Sequence, residues 1–112
     1  SQALIAGGML YTAGVSPDDP ATGEIVGEDI VEQTHQVMRN LGEIPAEAGL
    51  SFAHVVKTTA HLQNLEDFSA FNAVYESYVE VPYPVRTTVG STLAGFLVEV
   101  DLVAALDRGR TS

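Results

Sequence analysis

The chain has 112 residues, no cysteine, and fifteen acidic side chains against five lysines and arginines, a formal charge of −10. That length suits one domain, and a 46% hydrophobic content suffices for a core without disulfide or metal staples. The composition excludes thiol chemistry and zinc–cysteine sites, lacks the cationic footprint of a nucleic-acid binder, and offers neither a membrane-spanning run of about 20 apolar residues nor a leader peptide; a soluble, cytoplasmic protein is expected.

Ala3–Ala6 and Met9–Ala13 flank Gly7-Gly8, which predicts a β-hairpin with a tight primed turn. The chain opens at Ser1 without methionine, as a fragment or a chain missing its native N-terminus would. From Val15 to Gly27, Ser16-Pro17-Asp18-Asp19-Pro20 and Thr22-Gly23 read as loop chemistry, with Asp18 and Asp19 as turn formers.

A helix is expected from Asp29, with Ile30, Thr34, Val37, Met38, Leu41 and Ile44 on its apolar side and Gly49 as its C-terminal cap. Pro45 predicts a kink or break near Gly42–Pro45. Phe52 to Leu62, rich in Val and Thr, reads as a strand with Val56, Thr58, Ala60 and Leu62 on one face. Asn64, with Asp67 three residues on, reads as the cap of a second helix carrying Phe68, Phe71, Tyr75, Tyr78 and Val79, which Val81-Pro82-Tyr83-Pro84 ends. Val85–Ser91 and Phe96–Leu106 are the last strands, and Asp107–Ser112 a frayed tail. The order strand, strand, helix, strand, helix, strand, strand is that of an α+β fold with helices over one sheet face.

Two charges stand out in the apolar C-terminal strands. Alternation puts Arg86 and Thr88 on one face of their strand, opposite Val85, Thr87 and Val89. Glu99 interrupts a nearly continuous apolar run, the pattern of a strand covered on both sides, where a carboxylate must be paired or used. Two readings fit: an Arg86–Glu99 ion pair or a bridge to a neighbouring subunit, or a working site in which Arg86 grips a carboxylate and Glu99 orients or deprotonates a water. Asn72 reads alone as a helix-surface amide. His35, His54 and His61 share no metal-ligand spacing, and no phosphate loop or nucleophile elbow occurs.

Pro84-Val85-Arg86-Thr87-Thr88-Val89 followed by Phe96-Leu97-Val98-Glu99-Val100 resembles the signature of the Rid family, the YjgF-type imine deaminases. Tyr11-Thr12-Ala13-Gly14, Asp18 to Glu24, Gln33-Thr34 with Asn40-Leu41, Ala48 to Ser51 with Val55 to Thr59, and Asp67-Phe68 with Phe71 to Tyr75 agree in order, so the likeness covers almost the whole chain. The resemblance implies one Rid-like domain over residues 1–112 with a mixed sheet and two helices on one face, as in a Bacillus-type chorismate mutase. It also implies a homotrimer with sites between subunits. The final strand is then central in the sheet, where residue order alone suggests a hairpin of the last two strands.

The activity implied is cofactor-independent hydrolysis of 2-imino and enamine acids, such as 2-aminoacrylate, to 2-oxo acids and ammonia. By position, Arg86 would bind the carboxylate and Glu99 would hold the attacking water, while Gly14, Asn72 and Thr88 line the pocket; no metal is implied. Ala13-Gly14-Val15 stands where the family often has Ser-Gly-Gln, Thr88 where it often has cysteine, and Leu93-Ala94-Gly95 is a shortened loop; a tyrosine usual before the first strand has no counterpart in this chain. The alternatives are a non-catalytic binder of small 2-oxo acids and a ribonuclease, the latter disfavoured by the acidic composition.

Overall fold

β1 (Ala3–Ala6) and β2 (Met9–Thr12) form the expected hairpin, pairing Ala6 with Met9 across Gly7 and Gly8, both at positive φ, as a primed turn requires. This is a computed structural model, and it describes residues 2–107. Of the tail expected from Asp107 on, residues 108–112 lie outside the described residues.

The loop after β2 is built by its own side chains: Asp19 Oδ1 accepts from the Ala21 amide at 2.8 Å and Thr22 Oγ1 from the Glu24 amide at 3.2 Å. Asn40, on the first helix, ties this loop down by donating to the carbonyls of Ser16 and Asp18 at 3.1 and 2.7 Å.

α1 (Ile30–Glu47) starts at Asp29, whose side chain accepts from the Glu32 amide at 2.8 Å. It runs unbroken through Gly42 and Pro45, so the break expected there does not occur. Pro45 lies in the last turn, where it is buried and its carbonyl accepts from Ala48 and Leu50 (2.9 Å each) as the helix closes. With Gly49 at φ +76° donating to the Ala46 carbonyl at 3.0 Å, the Leu50–Pro45 bond completes a Schellman cap. Gly42 serves packing: a Cβ there would lie 3.0 Å from the Phe52 ring.

The strand expected from Phe52 begins later. Phe52–His54 is a 3₁₀ turn in which Ser51 Oγ accepts from the Ala53 amide and His54 Nδ1 accepts from the Ser51 amide, at 3.2 and 3.1 Å. β3 (Val55–Leu62) follows, and an irregularity between Val55 and Lys57 lets Val55 join Thr58, Ala60 and Leu62 in the core. The second helix also starts late. Leu65–Asp67 is a 3₁₀ turn closed by backbone bonds, so neither Asn64 nor Asp67 makes the side-chain cap expected, and α2 runs Phe68–Glu76.

β4 (Val85–Gly90) pairs parallel with β3, and β5 (Val98–Ala105) pairs antiparallel with both β2 and β3. The sheet order is β1-β2-β5-β3-β4, a mixed sheet with the last strand inserted centrally. The hairpin of the last two strands is thereby overturned, because β3 comes between them. A single core unites Val98, Val100, Leu102 and Ala104 with Ala60 and Leu62, Val37, Met38 and Leu41 of α1, and Phe71 and Tyr75 of α2. Both helices cover this one face, and Leu4, Tyr11, Val85 and Val89 lie exposed on the other. No helix among the described residues is long and apolar enough to cross a membrane.

Leu102 is 1% exposed at the centre of the sheet. Leu102→Ala is expected to cost about 2–5 kcal/mol in urea denaturation with an unchanged slope, whereas Val31→Ala on the exposed side of α1 should cost less than about 0.5 kcal/mol.

Candidate functional site

Arg86 and Glu99 lie on opposite faces of the sheet. Thr58 stands directly across from both Arg86 and Leu102, so these three side chains share the helix-covered face. Glu99 is an odd number of positions from Leu102 and stands across from His61, which places it on the open face. The ion pair between Arg86 and Glu99 within one chain is therefore excluded. The expectation that Glu99 is covered on both sides also fails for the single chain, since the helices cover only the other face.

Around Arg86 the site is built largely by α2. The guanidinium carbon lies 4.7 Å from the centre of the Tyr75 ring, 5.4 Å from Phe68 and 5.8 Å from Phe71, an aromatic wall that attracts a cation through its negative ring faces. Arg86 Nη1 donates to Asn72 Oδ1 at 2.5 Å, and Asn72 Nδ2 donates to Glu76 Oε1 at 2.9 Å. Asn72 is thus a partner of the arginine, and the surface-amide reading of it is too weak.

Tyr75 is buried, and its hydroxyl shares a 2.6 Å hydrogen bond with Thr58 Oγ1. Burial pushes its phenol above the usual tyrosine range; the Thr58 hydrogen bond and the Arg86 charge pull less strongly the other way. Asn72, Tyr75, Glu76, Val79, Tyr83, Pro84 and Arg86 line one cleft of about 340 Å³. Thr88 shares the Arg86 face, with its hydroxyl buried and unpartnered, but it does not line this cleft.

On the open face, Gly14 sits against Glu99 so closely that a Cβ would fall 2.5 Å from Glu99 Oε2. His61 faces Glu99 across the strands; its Nε2 lies 3.8 Å from Asp101 Oδ2 and its Nδ1 2.9 Å from Ser91 Oγ. Arg86 with Asn72 at one sheet edge and Glu99 with Gly14 on the open face are thus two separate groups in one chain. Sequence reasoning missed Tyr75, Glu76 and His61 as neighbours of these residues. For Glu76 a signal existed, the four-residue helical spacing from Asn72. Among the described residues no His, Asp and Glu cluster suits a metal ion.

Fold and site together define a small α+β protein with an arginine-bearing, tyrosine-walled cleft at the edge strand of a mixed sheet. The family described as Endoribonuclease L-PSP matches residues 1–106. A RutC family protein from Synechocystis is 44% identical over 110 residues, covering 95% of this chain and 85% of its own. A 2-iminobutanoate/2-iminopropanoate deaminase from Capra hircus is 38% identical over 106 residues, covering 93% and 77%. The crystal structure of RidA from the Antarctic bacterium Psychrobacter sp. PAMC 21119 matches with a TM-score of 0.87 at 33% identity, covering 94% and 86%. The chain belongs to the endoribonuclease L-PSP family, that of the YjgF and Rid proteins.

Tyr75→Phe leaves Thr58 Oγ1 buried without its partner, and is expected to cost about 1–3 kcal/mol by chemical denaturation at neutral pH. The raised phenol pKa adds a pH dependence. Its contribution is whole below the ordinary tyrosine value of about 10 and is lost as pH rises through the folded value, because the unfolded chain ionises first. Denaturation curves across alkaline pH should show that loss in the wild type and not in Tyr75→Phe.

Proposed function

We propose that the protein hydrolyses 2-imino and enamine acids to 2-oxo acids and ammonia, at sites completed where two subunits meet. The observation that carries this reading is the separation of Arg86 from Glu99: two groups suited to one reaction lie on opposite sheet faces of one chain. A second copy joins such halves if its open face meets the edge of the first. The exposed Leu4, Tyr11, Val85 and Val89 on that face favour such contact, and a closed homotrimer is the assembly proposed.

Arg86, steadied by Asn72 and the rings of α2, binds the substrate carboxylate with the N–H groups that Asn72 leaves available. Glu99 accepts a hydrogen bond from a water aimed at the C=N carbon and takes its proton as the C–O bond forms. The imine nitrogen takes that proton back from Glu99, giving the carbinolamine. The hydroxyl proton then passes through Glu99 to the amino group as the C–N bond breaks, releasing ammonia and leaving the 2-oxo acid; an enamine enters as its imine tautomer. An imine carbon is already electrophilic, so orientation supplies most of the acceleration and no cofactor enters the scheme. Gly14 lets the Glu99 carboxylate lie against its backbone, where any side chain would collide with it, and Thr88 offers a free hydroxyl on the arginine side. The kinship with a named imine deaminase supports this reading. The charge of −10 weighs against ribonuclease action, since polyanionic RNA is repelled.

An amino-acid oxidase that generates imines in situ, coupled to 2-oxo acid detection, tests the activity. Release should exceed spontaneous hydrolysis; no acceleration with any of several imines overturns it. Arg86→Ala should abolish binding of 2-oxo acids in calorimetry. Glu99→Gln should lower kcat by about 10²–10⁴-fold while sparing that binding; a non-catalytic binder would show no turnover in the wild type either. Sedimentation equilibrium should give three times the chain mass, and a monomer overturns the shared-site geometry.

A further inference from the structure

We propose that Glu76 is a positioning residue that sets which end of the Asn72 amide faces Arg86, and so sets the affinity of the cleft for carboxylates. The inference rests on the deaminase reading for its biological meaning, but its physical basis is separate. An asparagine amide has a carbonyl at one end and an NH₂ at the other, of nearly equal size, and can sit either way round. A guanidinium only donates and a carboxylate only accepts. With Glu76 Oε1 at 2.9 Å from Nδ2 and Arg86 Nη1 at 2.5 Å from Oδ1, the amide is held in the one orientation that satisfies both neighbours. Turned over, it would set donor against donor at Arg86 and acceptor against acceptor at Glu76.

The geometry makes this a relay along one helix face. Asn72 and Glu76 are four residues apart on α2, the spacing that brings side chains together. Arg86 comes from the edge strand, and its guanidinium is already confined by the Tyr75 ring. Asn72 then fixes the remaining freedom of the guanidinium, presenting its free N–H groups to the cleft that Glu76 also lines. The exposed Glu76 has no core to support, so its substitution reads out positioning rather than folding.

The test compares wild type, Glu76→Ala, Glu76→Gln and Glu80→Ala, the last removing an equal charge from an exposed site nearby. Two readouts are taken: pyruvate and 2-oxobutanoate affinity by calorimetry, and KM against kcat for imines generated in situ. Glu76→Ala should raise both Kd and KM about tenfold with kcat changed less than about twofold, as expected for loss of a hydrogen bond to a charged group that acts on binding alone. Glu76→Gln, whose carbonyl still accepts from Asn72, should recover affinity to within about threefold, and Glu80→Ala should match the wild type.

Equal affinities in Glu76→Ala and Glu80→Ala would overturn the relay. So would a raised KM for imines with unchanged 2-oxo acid affinity, which would give Glu76 a direct contact with the substrate nitrogen instead. The two proposals fail separately: absent turnover with the affinity pattern intact removes the deaminase reading and leaves the relay standing.

Discussion

The insertion of β5 between β2 and β3 is the constraint on which the rest of this structure depends. Because β5 bonds on both sides, its alternation is imposed on the whole sheet: Val98, Val100, Leu102 and Ala104 face the helices, and Glu99, Asp101 and Val103 face away. Every charged side chain of functional interest takes its position from that register. Thr58 levels with Leu102 and carries Arg86 to the helix side; His61 levels with Glu99 and stays on the open side. A slip of one residue would reverse every one of these assignments and expose the core.

Arg86 and Glu99 are held by different devices. Arg86 is held by aromatic faces and one amide, which confine a guanidinium without neutralising it, so it is left able to bind an anion. Glu99 is placed by its strand and by the close approach of Gly14, whose missing side chain lets the carboxylate lie against the backbone. The buried Tyr75–Thr58 hydrogen bond joins the wall behind Arg86 to the central sheet. The cation is thus seated on the core rather than on a loop, which favours precise presentation.

Much of this was legible beforehand because the signals are local. Gly7-Gly8 demands positive φ, Asp29 caps by its own carboxylate, and Gly49 closes α1 by backbone conformation alone. The failures are also local but involve competition. Pro45 suggested a break, yet α1 carries it in its last turn, where the helix is about to end and its carbonyl is used twice in the closure. Asn64 and Asp67 looked like caps, yet a 3₁₀ turn satisfied the amides with backbone carbonyls first. The Ser51–His54 box was missed because the histidine takes the place of the usual glutamate or glutamine.

By itself the sequence determined the element order, the alternation of side chains along the last two strands, and the conspicuous position of Arg86 and Glu99 among apolar neighbours, since periodicity and side-chain chemistry are properties of neighbouring residues. The resemblance to a known family added the central place of the last strand, which residue order alone argued against. Only the tertiary structure decided that Arg86 and Glu99 lie on opposite faces, that Asn72 holds the arginine, and that Glu76 stands behind Asn72. Those facts depend on which strand lies beside which and in what register, and strand pairing joins residues far apart in the chain, which no local pattern records.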